Sequence, residues 1–310
     1  MISKNNTQLL HHELNRRKFI SGAAKIAGAA VLTSSAIRTF AANRATPPKE
    51  FTVGEIMDAF INEVPGAPFP TTVDTLKAGN RSTKVTGIVT TMFATLEVIQ
   101  KAIASSANFI IAHEPTFYNH ADETNWLESD EVYRYKANLL KQHQVAVWRN
   151  HDYIHRHIPD GVISAVVAKL GWNDYYTADS GIALMPAIQL EALIEHVKVR
   201  LGINMVRYIG NLKQTCKKVL LMPGASGGRR QIEAMSREIP DVLVCGEIQE
   251  WETAEYVRDA QTKGQQLSLI VLGHIPSEEP GSEYMADWLR KKMPAIKVTH
   301  IPATNSLSFL

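Results

Sequence analysis

Three short apolar runs in this chain each stop abruptly on histidine and acidic residues. Phe109-Ile-Ile-Ala112 stops on His113-Glu114, where Pro115 bars further extension. Val145-Ala-Val-Trp148 leads to His151-Asp-Tyr-Ile-His155, and the run 267–272 leads to Gly273-His-Ile-Pro-Ser-Glu278. Apolar runs this short read as strands buried on both faces, the pattern of parallel sheets covered by helices. In open α/β sheets, ligands bind just beyond the carboxyl ends of such strands. Three His/acid clusters at three strand ends therefore point to a metal site.

The intervening segments agree with that reading. Helical spacing recurs over 53–64 behind Thr52 as N-cap, and over 94–106, 129–143, 161–170, 190–201, 230–238, 251–262 and 282–292. Further strands are expected at 85–91, 206–209, 219–222, 242–244 and 297–301. Helices alternating with strands predict an α/β fold with parallel or mixed sheets. It is organised as two α/β halves, residues 52–185 and 186–310, after a linker at 42–51 that contains Pro47-Pro48.

Each cluster has a plain structural alternative. Successive side chains of a strand face opposite ways, so His113 and Glu114 reach one site only if the chain turns at Pro115. Otherwise one of them serves the loop. His151 and His155 are four apart and share a face on a helical turn, which aims two imidazoles at one ion. His157 is a nearby decoy. His274 and Glu278 are also four apart, and Pro276 between them favours a tight turn over a continuous helix. Glu247 follows the run 242–244 at the same end of the sheet, as a proton carrier, a carboxylate orienting a ligand, or a helix cap. Imidazole combined with carboxylate suits Zn, Mn or Fe better than Mg. Pro223-Gly-Ala-Ser-Gly-Gly228 lacks the lysine of a phosphate loop and the spacing of a dinucleotide fingerprint, so it reads as a tight strand-to-helix turn.

Charge narrows the function classes. The formal balance of +2 over 310 residues is set by the first 41, which carry Lys4, Arg16, Arg17, Lys18, Lys25 and Arg38 against Glu13 alone. The remainder holds 27 basic and 30 acidic residues, near −3, which argues against an electrostatic nucleic-acid surface. Asn15-Arg-Arg-Lys-Phe-Ile-Ser21 precedes an Ala/Gly-rich stretch whose longest uncharged run, 26–37, has 12 residues. That is too short for a membrane span of roughly 20. The segment resembles a twin-arginine export signal cleaved near Ala41, which would deliver the protein to the periplasm. Cys216 and Cys245 flank different strands. If those strands are parallel neighbours, the thiols lie at opposite ends of the sheet, beyond the ~7 Å limit for bridging, and stay free and buried.

The stretches Phe109–Pro115, Val147-Trp-Arg-Asn-His151, 223–228, Asp241-Val-Leu-Val-Cys-Gly-Glu247 and 273–278 occur in this order across residues 52–310. Together they resemble the NIF-three-like family, whose members are also labelled GTP cyclohydrolase 1 type 2 homologues. The resemblance implies two α/β domains facing each other across a cleft that holds two metal ions, and a toroidal hexamer. It implies His113, Glu114, His155, His274 and Glu278 as ligands, with Glu278 a candidate bridge and His151 or Glu247 moving a proton. There are two departures from the family pattern. His-His-Pro is here His113-Glu114-Pro115, and an Asp four residues after the position of His151 is here His155. A carboxylate gained at 114 and lost at 155 preserves the count of donors, and leaves a ligand role for Asp152 open. The expectation is a dinuclear metal-dependent hydrolase acting on a phosphoester or nucleotide-like substrate. The alternative is a non-catalytic metal-binding or scaffold protein acting through the toroid.

Overall fold

The computed structural model describes residues 49–308. The export signal expected at 1–41 and linker residues 42–48 lie outside the described residues, so nothing in the structure bears on them. Among those described, no helix is long and apolar enough to cross a membrane.

Two mixed sheets carry the fold. The first is built from β1 (Leu76–Ala78), β2 (Ile88–Thr91), β3 (Phe109–Ala112), β4 (Ala146–Arg149) and β11 (Val298–His300), in the order β1-β4-β3-β2-β11. Only β1 is antiparallel to its neighbour. The second contains β5 (Tyr176–Thr177), β6 (Ile182–Gln189), β7 (Arg207–Ile209), β8 (Thr215–Met222), β9 (Val242–Cys245) and β10 (Ser268–Val271), in the order β5-β6-β8-β9-β10-β7. Its centre, β8-β9-β10, is parallel. The sequence position 185/186 falls inside β6, and β11 at the end of the chain returns to the first sheet beside β2.

The continuous apolar runs are explained by helices on both sheet faces. In the first sheet Ile111 and Trp148 face one way, while Ile110 and Val147 face the other, toward α2 (Leu96–Ala104) and Leu140 of α3 (Glu131–Gln142). In the second, Leu243 and Leu269 pack with Met235 of α7 (Gly228–Glu238) and Val257 of α8 (Glu255–Thr262). The remaining faces of both sheets share one core. Into it α1 (Val53–Ile61), α5 (Gly161–Leu170), α6 (Leu190–Leu201) and α9 (His274–Lys292) contribute Phe60, Val166, Val197 and Leu289. Each such fully buried aliphatic or aromatic side chain contributes about 1.5–3 kcal/mol relative to exposure. Thr52 starts α1 with a reciprocal capping box to Glu55, as the sequence suggests. The two thiols are buried and free; Cys245 pairs in register with Met222, and Cys216 lies near the other end of β8.

Strands β1, β5 and β6 have no counterpart among the expected runs, and one helix departs from its expected start. The last helix begins at His274 rather than at 282, and Pro276 does not enforce a tight turn. Pro276 sits in the first helical turn, where its missing N–H is one that would have no partner anyway. His274 and Glu278 therefore share a true helical face.

Candidate metal centre

The carboxyl ends of β3 and β4 are adjacent and parallel, with Ala112 opposite Arg149. The chain bends immediately after Ala112. The amides of His113 and Glu114 still donate to the carbonyl oxygens of Thr91 (3.1 Å) and Met92 (2.8 Å), and both side chains reach the same site. His113 donates from Nδ1 to the Asn150 carbonyl oxygen at 3.3 Å. Its Nε2 is buried and has no hydrogen-bond partner among the described residues.

A short helix, α4 (Asp152–Arg156), follows β4 with His151 at its N-cap. Buried Asp74 fixes the start of that helix by accepting from the amides of His151 (2.8 Å) and Tyr153 (2.7 Å). Asp152 lies 3.0 Å from His151 Nδ1 and also accepts from the Thr72 hydroxyl at 2.8 Å. It orients an imidazole rather than entering the site. Asp160 caps α5 through the amides of Val162 and Ile163, and its other oxygen lies 3.0 Å from His155 Nδ1. All three histidines thus have Nδ1 tied, leaving Nε2 free, the arrangement by which carboxylates and carbonyls orient metal-binding imidazoles. Ring centroids are 4.8 Å (113–151), 5.2 Å (113–155) and 5.0 Å (151–155) apart. His157 lies elsewhere, stacked on Phe60.

The second sheet brings Glu247, His274 and Glu278. His274 Nε2 lies 3.0 Å from Glu278 Oε2 and 3.2 Å from Glu114 Oε1, and its Nδ1 is 3.0 Å from Glu247 Oε1. Glu278 Oε2 in turn approaches His113 Nε2 at 3.6 Å. Two glycines permit this convergence. Gly224, at φ +66, presses the turn after β8 against Glu278, where an added Cβ would meet Oε1 at 2.3 Å. Gly246 packs so closely on Gly224 that its Cβ would lie 2.6 Å from that backbone. The run 223–228 is a strand-to-helix turn, as its residues suggest.

The site concentrates opposite charges. Burial alone would lower the His274 imidazole, yet hydrogen bonds to Glu114, Glu247 and Glu278 push it up to about 12. Burial would raise Glu278, but His113 and His274 hold it well below the carboxylate range. His151, removed from water and beside His113, is pushed down to about 4 and is a neutral donor at pH 7. Among the described residues, two groups have donor atoms within 4.8 Å of one another: His113, His151 and His155, and His113, Glu114 and Glu278. They share His113, which has one free nitrogen. Two ions therefore require His274 to complete the second group.

Every residue expected at the site from the sequence is brought together: His113, Glu114, His151, His155, Glu247, His274 and Glu278. His151 stands inside the imidazole group instead of apart from it. The supporting residues Asp74, Arg149 and Asp160 were not legible as such. Only Asp160 carried a signal, an Asp-Gly pair at a helix start close behind His155.

The fold and the cluster define a class: an α/β protein with two mixed sheets whose strand ends meet at a histidine–glutamate centre. Residues 73–306 match the Duf34/NIF3 (NGG1p interacting factor 3) family, and the chain belongs to it. It is 24% identical over 220 residues to a GTP cyclohydrolase 1 type 2 homolog of Clostridium perfringens, covering 66% of this chain and 78% of that protein. Similar folds are those of a Bacillus cereus protein related to NIF3 (TM-score 0.68, 17% identity, 84% of this chain and 99% of that one) and of Staphylococcus aureus hypothetical protein SA1388 (TM-score 0.67, 19%, 84% and 100%).

Proposed function

We propose that this protein is a metal-dependent hydrolase that holds two divalent transition-metal ions, Zn, Mn or Fe, at the histidine–glutamate cluster. The observation that carries this reading is His113 Nε2, buried and without a hydrogen-bond partner among the described residues, where two donor groups meet. His113, His151 and His155 would hold one ion, and Glu114, His274 and Glu278 the other. The mixture of imidazole and carboxylate donors fits such metals. When bound, ions of this kind polarise a substrate oxygen and bring the pKa of water toward neutrality.

The chain's own residues divide the remaining work. Glu114 would stand with Glu278 between the two donor groups, since its Oε1 lies 3.2 Å from His274 Nε2, 3.8 Å from His151 Nε2 and 3.9 Å from His113 Nε2. His151, with Nδ1 tied to Asp152, fits a ligand role better than that of a proton carrier. Glu247 orients His274 through Nδ1 and is half-exposed on the wall of an adjoining cavity, so it is the group placed to take a proton. That open wall favours an enzyme over a purely structural centre, which encloses its ion in protein ligands. A nucleotide-like substrate is raised only by the relatives' name, and a phosphoester remains the other expectation.

Metal analysis of the purified protein tests the reading, together with hydrolysis of p-nitrophenyl phosphate. Two equivalents should fall to one in His274→Ala, and chelation should abolish turnover. A wild type without stoichiometric metal, or a variant that keeps both ions, would overturn it. Periplasmic export and a toroidal hexamer extend the proposal on sequence resemblance alone. An Arg16→Lys/Arg17→Lys double variant should remain in the cytoplasm, and light scattering should report six subunits.

A further inference from the structure

The cavity beside the centre has a chemistry of its own. It measures about 780 Å³, with Glu114, Glu247 and His274 on its wall, and lies within the range of small-molecule sites. Lys136 of α3, Thr116 and Tyr118 also line it. Lys136 is only 4% exposed. Its Nζ donates to the Thr116 carbonyl oxygen at 2.6 Å and lies 5.2 Å from the centre of the Tyr118 ring.

No carboxylate among the described residues pairs with this ammonium. The acid whose charge it feels is Asp122. That carboxylate is already engaged by Lys77 at 3.2 Å, by Arg149 at 3.8 Å, and by the amides of Thr116 and Phe117 at 2.7 Å. Buried lysines are almost always paired. Burial pushes the Lys136 ammonium down to about 8, which leaves it charged at neutral pH. Thr116 adds a buried hydroxyl with no partner among the described residues. Tyr118 is half-exposed at φ +63, a left-handed conformation that side-chain-bearing residues adopt at a cost and that clusters at ligand sites.

We propose that this cavity binds an organic anion whose carboxylate or phosphate accepts from Lys136. The apolar or aromatic body of that molecule lies against Tyr118, Phe93 and Leu96, and its remainder is presented to Glu247 and His274. The proposal deepens the hydrolase reading by naming a substrate class. It rests on that reading only for the fate of the bound molecule, because binding by Lys136 requires no ion.

Calorimetric titration with phenyl phosphate and with phenylacetate provides the test, with benzyl alcohol as the uncharged control, on metal-loaded and on EDTA-treated protein. At least one anion should bind about tenfold more tightly than benzyl alcohol in both preparations, with a preference that separates phosphate from carboxylate. Lys136→Met should lose about tenfold in anion affinity, one factor of ten per 1.4 kcal/mol, with metal content unchanged. Should Lys136→Met not fold, because the Thr116 carbonyl loses its donor, Tyr118→Ala at an exposed position tests the same cavity and should lose severalfold for both anions. Anions that bind no better than benzyl alcohol overturn the proposal, as do variants that bind them as the wild type does. Binding that survives Lys136→Met but vanishes with EDTA places the anion on the ion and also overturns it. Absence of metal with anion binding retained would refute the hydrolase reading and leave this one standing.

Discussion

Arg149 Nη2 lies 3.4 Å from Glu114 Oε2, and both side chains are buried. The same guanidinium reaches Asp122 at 3.8 Å and donates to the carbonyl oxygens of His113 and His120. A carboxylate at position 114 is thus compensated twice, by the imidazoles across the site and by a fixed cation on the neighbouring strand.

Arg149→Met leaves two buried carboxylates short of a partner. Breaking a buried pair from one side costs on the order of 3–5 kcal/mol, so urea unfolding should show a loss of that size. Arg149→Lys should recover part of it, since it keeps the charge without the planar fork. A loss below about 1 kcal/mol would show that the pair is not holding the site together.

Asp160 has two separable duties. Asp160→Ala removes the α5 cap, worth about 1 kcal/mol, and frees His155 Nδ1. Asp160→Asn keeps a capping oxygen but weakens the hold on the imidazole. Both should bind metal roughly 10- to 100-fold more weakly in chelator competition, while only the first loses the full cap energy in thermal unfolding. Unchanged metal affinity in both would remove His155 from the ligand set.

Gly224→Ala adds a Cβ at 2.3 Å from Glu278 Oε1, on a backbone at φ +66. Glu278 has to move. One metal equivalent should be lost, read by elemental analysis, while the three-imidazole group retains its own. Retention of both ions would show that Glu278 is not needed where it stands.

The stability of the protein should rise with pH where Lys136 titrates. Its folded pKa is about 8 because burial penalises the charge, against 10.5 in the unfolded chain. Between those values the unfolded chain holds a proton that the folded protein has shed, so unfolding becomes harder as pH increases. The gain is at most roughly 3 kcal/mol, and below about pH 8 the burial cost is fully present. Urea midpoints of wild type minus Lys136→Met, taken across this window, should climb. A flat or falling difference contradicts the assignment.

The strand ends and the residue pairs four apart could be read directly from the chain, because alternation and helical spacing are local properties. His113, Glu114, His151, His155, His274 and Glu278 all lie at such positions, and all converge. Local pattern failed where its signal was weak or misleading. Pro276 reads as a breaker but sits in a first turn, and Pro186 interrupts the apolar run of β6, which pairs with β8 on both sides of that break. What only the tertiary structure decided is which distant residues complete the site. Arg149 becomes the partner of Glu114 because β3 and β4 are parallel neighbours, and Asp74 comes to hold His151 from a separate loop. Lys136 is left without a carboxylate partner among the described residues, while Asp122 sits beside Lys77 and Arg149. Such pairings are settled by the packing of the two sheets and their helices, and residue spacing along a chain carries no record of them.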